Sequence, residues 1–456
     1  MSKGAMMRDG HRDKRWSRRQ ILAGSAGLTA AVTLGGALWN CETMGEVDET
    51  GRADESVAPR PPDLSDWRAV RAQFDASPQW VHMAAMLLAT HPEPVRRALA
   101  THRQGLNENP VHHVIEHRVG GAQTLEDDAE ERAMRAAGRY LEVDAANVAL
   151  MGNTTEGLAM VYNGLAIDAD QEVLTGHWNH WATQGSLTYS SAKRGFSIRR
   201  AHLYDDLSSV TSDELVDPLI DEIRPETRVV AVTWVHSVTG LKLPVGRIGE
   251  RIAELNTDRG RDDQIIYCVD AVHGFGVENA EFADLSCHFY IAGCHKWLFG
   301  PRGTGVVVAD PQAWQFVTPT VPTFSTHETP GRRFTPGGFH AFEHRWALAE
   351  AFDFHLAIGK DRVQDRIHDL AGHLIEELHG MPHVELVTPT ESDLSSGVVV
   401  FRIPGHTTAA VVEYLRERGI VASSTPESPR LPRLSPGLLN DHREIAQTLA
   451  ELRKLR

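Results

Sequence analysis

Cysteine is scarce in this chain, with four residues in 456. Cys41 stands in the amino-terminal segment, which leaves Cys268, Cys287 and Cys294. That odd set excludes a disulfide framework as the source of stability, even in an oxidising compartment. Positive charge is also in deficit: Lys and Arg number 46 against 61 Asp and Glu, for a net charge of -15. A chain of that sign is poorly matched to a phosphate backbone, so no nucleic-acid partner is expected. There is no apolar run of the roughly 20 residues that a membrane span needs, and beyond residue 62 there is neither internal repeat nor low-complexity tract. What is present is an ordinary composition, 41% hydrophobic and 23% charged, in a chain long enough for two domains and a sizeable core.

The amino terminus reads as a targeting segment. Basic residues run from Arg8 to Arg19 and close on Ser17-Arg18-Arg19-Gln20-Ile21-Leu22, ahead of a moderately apolar stretch from Ala23 to Leu38. The paired arginines resemble a twin-arginine export signal, which hands folded proteins to export machinery in the bacterial inner membrane. A periplasmic protein is expected, the alternative being a membrane-anchored one facing the periplasm. Lipidation at Cys41 is disfavoured by Trp39 and Asn40, where small residues are wanted. Residues 1–41 are assigned to the signal and 42–66 to a polar, acidic linker.

From Trp67 onward, helical and strand patterns alternate. Helices are expected over Pro92 to Gly105, Leu125 to Leu141 and Glu156 to Leu165. Strands are expected at Val148 to Met151, Glu172 to Leu174, Val229 to Val235, Ile265 to Val269 and Thr304 to Val308. Alternation of this kind predicts an α/β domain with a mostly parallel sheet over residues 67–341. After about Phe342 a long helical stretch reaches Leu378, Val384 to Ile403 is strand-rich, and amphipathic segments begin at Thr407 and His442. A smaller α+β carboxy-terminal domain is expected over 342–456.

The chemistry lies in one pair. Lys296, in Gly293-Cys294-His295-Lys296-Trp297, is preceded by Asp270, which ends the apolar strand of Val269-Asp270-Ala271-Val272-His273-Gly274. A lysine able to hold an aldehyde, with an acid able to keep a pyridinium nitrogen protonated, is what pyridoxal 5'-phosphate (PLP) chemistry requires. A Gly-Pro-x-Gly-x-Gly turn follows the lysine. Upstream, Gly152-Asn153-Thr154-Thr155-Glu156-Gly157 follows a strand and opens a helix, where free amides and hydroxyls favour a phosphate. A plain helix cap by Thr154 or Thr155 is the competing reading.

Together these segments resemble the class V aminotransferase family of fold type I PLP enzymes, in particular its isopenicillin N epimerase-like branch, from Gln79 to the end. The signal and Pro336-Gly-Gly-Phe-His-Ala-Phe-Glu-His344 resemble an exported member acting in pyoverdine siderophore maturation. The resemblance implies a homodimer, and it implies the roles that follow. Lys296 and Asp270 carry catalysis, and His180, or else Trp181, stacks on the cofactor ring. Thr154, Thr155 and His295 approach the phosphate, and His273 reaches the ring hydroxyl or the phosphate side. A polar group from His236 or Ser237 approaches the cofactor. Arg433, or its neighbour Arg430, pairs with a substrate carboxylate. Two departures stand out: Gly293 replaces a common serine, and Gly437 replaces a usual histidine.

The family implies a small-molecule or peptide amino substrate, and offers transamination, epimerisation, desulfuration and oxidative decarboxylation. Desulfuration needs a mobile persulfide-carrying cysteine, and none follows Cys294. A cofactor-free binding protein on the same fold is the rival of another class. His113-Val114-Ile115-Glu116-His117 fits the H-x-x-E-H spacing of inverted zinc proteases, but no third ligand is evident in the sequence and no metal is expected.

Overall fold

The computed structural model describes residues 63–117, 128–207, 209–323 and 329–456. The export signal and nearly all of the linker lie outside them. Among the described residues, no helix is long and apolar enough to cross a membrane.

The chain enters through α1 (Trp67–Ala72), capped by the Asp66 carboxylate, and a short strand, β1 (Val81–His82). Helices α2 (Glu93–Glu108) and α3 (Pro110–His117) follow, separated by Asn109 alone. Pro94 and Pro110 stand in their first turns, where a missing amide hydrogen breaks no helical bond. After α4 (Ala129–Leu141) the large sheet begins. Its strands are β2 (Val148–Met151), β3 (Glu172–Gly176), β4 (Ser197–Ala201), β5 (Thr227–Thr233), β6 (Ile266–Asp270), β7 (Phe289–Gly293) and β8 (Gly305–Ala309). Helices α5 (Thr154–Gly164), α6 (Trp181–Arg194), α7 (Ser212–Asp221) and α8 (Val245–Asn256) connect the first five.

The order is β2-β8-β7-β6-β5-β3-β4. Every pairing is parallel except those of β8, which is antiparallel to both β2 and β7. One antiparallel strand between two others restores direction, so β2, β3, β5, β6 and β7 all end at the same edge. In an open α/β sheet that carboxy-terminal edge is where ligands bind.

Strand periodicity explains why these runs are apolar throughout. Val230, Val232, Tyr267, Val269, Tyr290, Val306 and Val308 face one core, while Val229, Ala231, Ile266, Cys268, Phe289, Ile291 and Val307 face a second on the opposite side. Both faces are covered, so alternation of apolar with polar residues is absent.

Helices α9 (Pro330–Phe334), α10 (Phe342–Trp346), α11 (Leu348–Ile358) and α12 (Lys360–His379) come next. The single helical stretch expected from Phe342 to Leu378 is thus three helices. It is interrupted at Ala347 and at Gly359, whose φ of +98° is glycine's territory. Leu348, Phe352 and Ile358 of α11 join the large-sheet core, whereas Leu370, Leu374 and Leu378 of α12 belong to a third core. That core also holds the antiparallel sheet β12-β13-β10-β9. It is built from β9 (Glu385–Leu386), β10 (Val399–Arg402), β12 (Ser423–Ser424) and β13 (Pro432–Leu434), with α13 (Thr408–Arg416) and α14 (His442–Leu452) beside it. β11 (Ile420–Val421) pairs in parallel with β1, joining Val81 and His82 to the carboxy-terminal part of the chain.

Candidate active site

Lys296 sits on a turn that the chain holds rigidly. Beyond β7 the Gly300 amide donates to the Cys294 carbonyl (2.8 Å), Trp297 is fully buried, and Phe299 adopts φ +57°. A left-handed conformation is strained for a bulky side chain and persists only where packing dictates it. Here the Phe299 ring lies 4.9 Å from that of Phe74, and His91 Nδ1 lies 3.3 Å from the Phe299 carbonyl. The Lys296 Nζ stands 3.4 Å from His273 Nε2. Burial pushes the ammonium down to about 8, with the Arg433 charge adding to it and Asp270 opposing. Near pH 8, then, a substantial fraction of this amine is neutral and nucleophilic.

Asp270 is the last residue of β6 and is buried. It accepts from the Val272 amide (3.3 Å) and the Thr183 hydroxyl (3.4 Å). Burial raises its carboxyl to about 6, against the lowering effects of those bonds and of Lys296. At neutral pH it remains an anion in a dry setting with little to offset it, which suits a cationic ring nitrogen. Thr183 was not anticipated from the sequence. Its signal was available, because placing His180 at the start of α6 puts residue 183 one turn further along the same face.

Among the described residues, several buried polar atoms without a partner lie at the same sheet edge. They are Thr154 Oγ1 after β2, Thr233 Oγ1, both His236 ring nitrogens and Ser237 Oγ at the end of β5, His273 Nδ1 after β6, and His295 Nδ1 after β7. Each such atom left unpaired costs roughly 1–3 kcal/mol. A concentration of them beside a lysine and an acid marks the seat of a polar ligand with several acceptors, and the donor set fits a phosphorylated aldehyde such as PLP. The competing reading, a helix cap by Thr154 or Thr155, does not hold: the cap is Asn153, whose Oδ1 accepts from the Glu156 amide (2.9 Å). The Thr154 hydroxyl is thereby released, whereas Thr155 is exposed.

Gly293 now has a reason. A Cβ at this position would stand 2.8 Å from Thr154 Oγ1 and 3.1 Å from His295 Cε1, so the threonine hydroxyl occupies the space a serine would use. Gly293→Ser is expected to weaken cofactor binding roughly tenfold or more, since overpacking typically costs 1–3 kcal/mol. The double variant with Thr154→Ala should recover most of that loss. A cofactor titration of both proteins checks this, and a neutral single variant would show that Thr154 is not fixed in place.

The remaining alternatives separate by burial. His180 is partly buried at the start of α6, its Nδ1 accepting from the Ala182 amide (3.2 Å). Burial first, then the charges of Lys296 and Arg433, hold it neutral with a pKa of about 4. Trp181 is 57% exposed. Arg433, on β13, is buried, donating from Nη1 to the Ser237 carbonyl (2.8 Å) and from Nε to Ser423 Oγ (3.3 Å). Arg430 is exposed. Burial lowers the Arg433 guanidinium to about 10, with Glu427 opposing, and its charge is felt at Lys296, His180 and His273. Gly437 lies against the entering chain, where a Cβ would be 3.0 Å from that of Ala85; this leaves no space for a histidine.

In the H-x-x-E-H segment, α3 puts His113 and His117 on one face, and Glu116 pairs with exposed His112 (3.2 Å) rather than with either. A third imidazole, His102 of α2, joins the two, which sequence spacing did not reveal.

Residues 91–428 match the family model described as Aminotransferase class-V. The isopenicillin N epimerase of Streptomyces clavuligerus is 26% identical over 333 residues, covering 69% of this chain and 81% of that protein. A cysteine desulfurase of Cronobacter sakazakii is 26% identical over 317 residues, covering 66% and 74%. Among solved structures, a C-DES variant with glycine linked covalently to its PLP cofactor superposes with a TM-score of 0.73 at 20% identity, covering 84% of this chain and 98% of that one. The apo cysteine desulfurase of Thermococcus onnurineus gives 0.72 at 19% identity, covering 85% and 97%. With a lysine and an acid set at the carboxy-terminal edge of a mostly parallel sheet, and a family match spanning most of its length, the chain is a PLP-dependent enzyme that belongs to the class V aminotransferase family and has the fold type I architecture.

Proposed function

We propose that the enzyme acts on the amino group of a carboxylate-bearing amino acid or peptide in the periplasm. The observation that carries the substrate reading is Arg433, a buried guanidinium whose Nη2 makes no hydrogen bond among the described residues and whose charge reaches Lys296. Arg433 would take the carboxylate and orient the substrate's Cα. Bound PLP supplies an aldehyde that condenses with amines and a ring that accepts electrons from the substrate. Lys296 would hold the cofactor and then move the Cα proton through Nζ, and Asp270 would face the ring nitrogen. His180 would lie on the ring as a neutral imidazole. Thr154 and His295 would meet the phosphate, with Ser237 and His273 as further polar contacts.

Among the relatives are cysteine desulfurases, but Cys268, Cys287 and Cys294 are all buried and burial raises each thiol far from thiolate. A persulfide relay therefore has no carrier among the described residues. Purified holoenzyme incubated with amino acids and short peptides should yield keto, inverted or decarboxylated products. Release of sulfide from cysteine as the fastest reaction would overturn this reading.

The finer reading is maturation of a peptide siderophore after export, supported by Ser17-Arg18-Arg19 and by the Pro336 to His344 stretch. Replacing Arg18 and Arg19 with lysine is expected to retain cofactor-loaded enzyme in the cytoplasm. Export that continues in cells without the twin-arginine pathway would contradict it. A homodimer is consistent with the exposed Leu87, Leu88, Val111 and Ile115.

A further inference from the structure

Helices α2 and α3 form a tight corner at Asn109, and the corner brings three imidazoles together. His102 comes from α2, and His113 and His117 come from successive turns of α3. One ligand nitrogen from each lies within 4.8 Å of the others. Among the described residues this is the one group of three histidine, cysteine or acidic side chains that converges so closely.

The spacing is one that metal ligands adopt. His102 Nδ1 and His113 Nε2 are 3.3 Å apart, and nitrogens bound at the usual zinc distance of about 2.0–2.1 Å on two corners of a tetrahedron stand about 3.3 Å apart. His117 Nδ1 lies 2.8 Å from the His113 carbonyl. Donation to that carbonyl fixes the tautomer and leaves Nε2 free, the arrangement typical of metal-bound histidine. The three rings rest on Trp346, with centroids 5.3, 5.8 and 5.4 Å away, and His117 is stacked on it. Leu106 and Val114 pack against the small cluster that Trp346 forms with Ala129 and Phe342.

Space has been left for this. Gly105 lies inside α2, where glycine is about 0.8–1.0 kcal/mol worse than alanine. A Cβ there would be 2.4 Å from His113 Nδ1 and Cε1, so only glycine admits the ring.

We propose that His102, His113 and His117 bind a divalent transition-metal ion of zinc's class, with solvent completing the coordination, and that the ion clamps α2 to α3 over Trp346. The site lacks the general base of a protease, since Glu116 is turned to His112. It is a structural clip.

The test uses holoenzyme stripped with a chelator and titrated with zinc ion against a chromophoric competitor. Wild type should take up one tight equivalent per chain, with a higher melting temperature, and should release it as the pH falls and protons compete for the rings. His102→Ala and His113→Ala should each lower the affinity at least tenfold, because loss of a mere supporting partner already costs 10–100-fold. His112→Ala, beside the site but outside it, should bind as wild type does. Gly105→Ala keeps all three histidines but displaces the His113 ring, and should weaken binding too. The cofactor absorbance of each variant confirms that it has folded. A wild type that takes up no tight equivalent, or a tight equivalent that survives His102→Ala and His113→Ala, overturns the assignment.

Discussion

Lys296→Ala is expected to abolish the absorbance of the lysine–cofactor linkage and to lower turnover by at least about a thousandfold, combining the loss of the covalent anchor with the loss of a general base that is itself worth roughly 10²–10⁴. The protein should still fold. The turn is held by Trp297, Phe299 and Gly300 rather than by the lysine, whose Nζ has His273 as its near neighbour. The pH dependence follows from the same burial. An ordinary lysine amine becomes neutral near 10.5, but this one is pushed down to about 8. Capture of the aldehyde by cofactor-free enzyme should therefore accelerate as the pH rises through about 8 and level off above it. Rates that climb steadily towards pH 10 would mean that the lysine is not buried as described.

Arg433→Ala should weaken substrate binding by roughly 30-fold to over 100-fold, the equivalent of losing a charge-assisted bidentate contact of about 2–3 kcal/mol. The cofactor spectrum should stay unchanged. Arg433→Lys keeps the charge but not the fork, and should recover only part of the loss. Arg430→Ala is expected to change nothing, because that side chain is exposed. Unaltered affinity in Arg433→Ala, measured with a carboxylate-bearing substrate, would mean that the substrate is held some other way.

Much of this was legible in the sequence where one residue type carries one constraint. The apolar runs at Val148, Glu172, Val229, Ile265 and Thr304 mark strands because both sheet faces are covered. β4 was missed because Ser197-Ile198-Arg199-Arg200-Ala201 is an edge strand with arginines in its middle. β7 is hard to separate from the lysine motif because its last residue, Gly293, opens that motif and the strand runs directly into the turn. Lys296 and Asp270 are legible as a pair in the sequence, since one ends a strand and the other sits in the turn after the next strand, and the chemistry needs both. Distance along the chain hides what folding assembles. The Thr183 bond to Asp270, the competition between Thr154 and a Cβ at Gly293, and the approach of His102 to α3 all depend on packing between elements. The choice of Arg433 over Arg430 needed burial, which spacing alone does not show.

The central claim is that Lys296 carries the cofactor. The most direct measurement is borohydride reduction of the native holoenzyme, which fixes bound PLP to its lysine, followed by peptide mapping by mass spectrometry. The expected result is one modified peptide containing residue 296, absent from Lys296→Ala. A modification at Lys242, Lys360 or any other lysine, with residue 296 unmodified, would contradict the account.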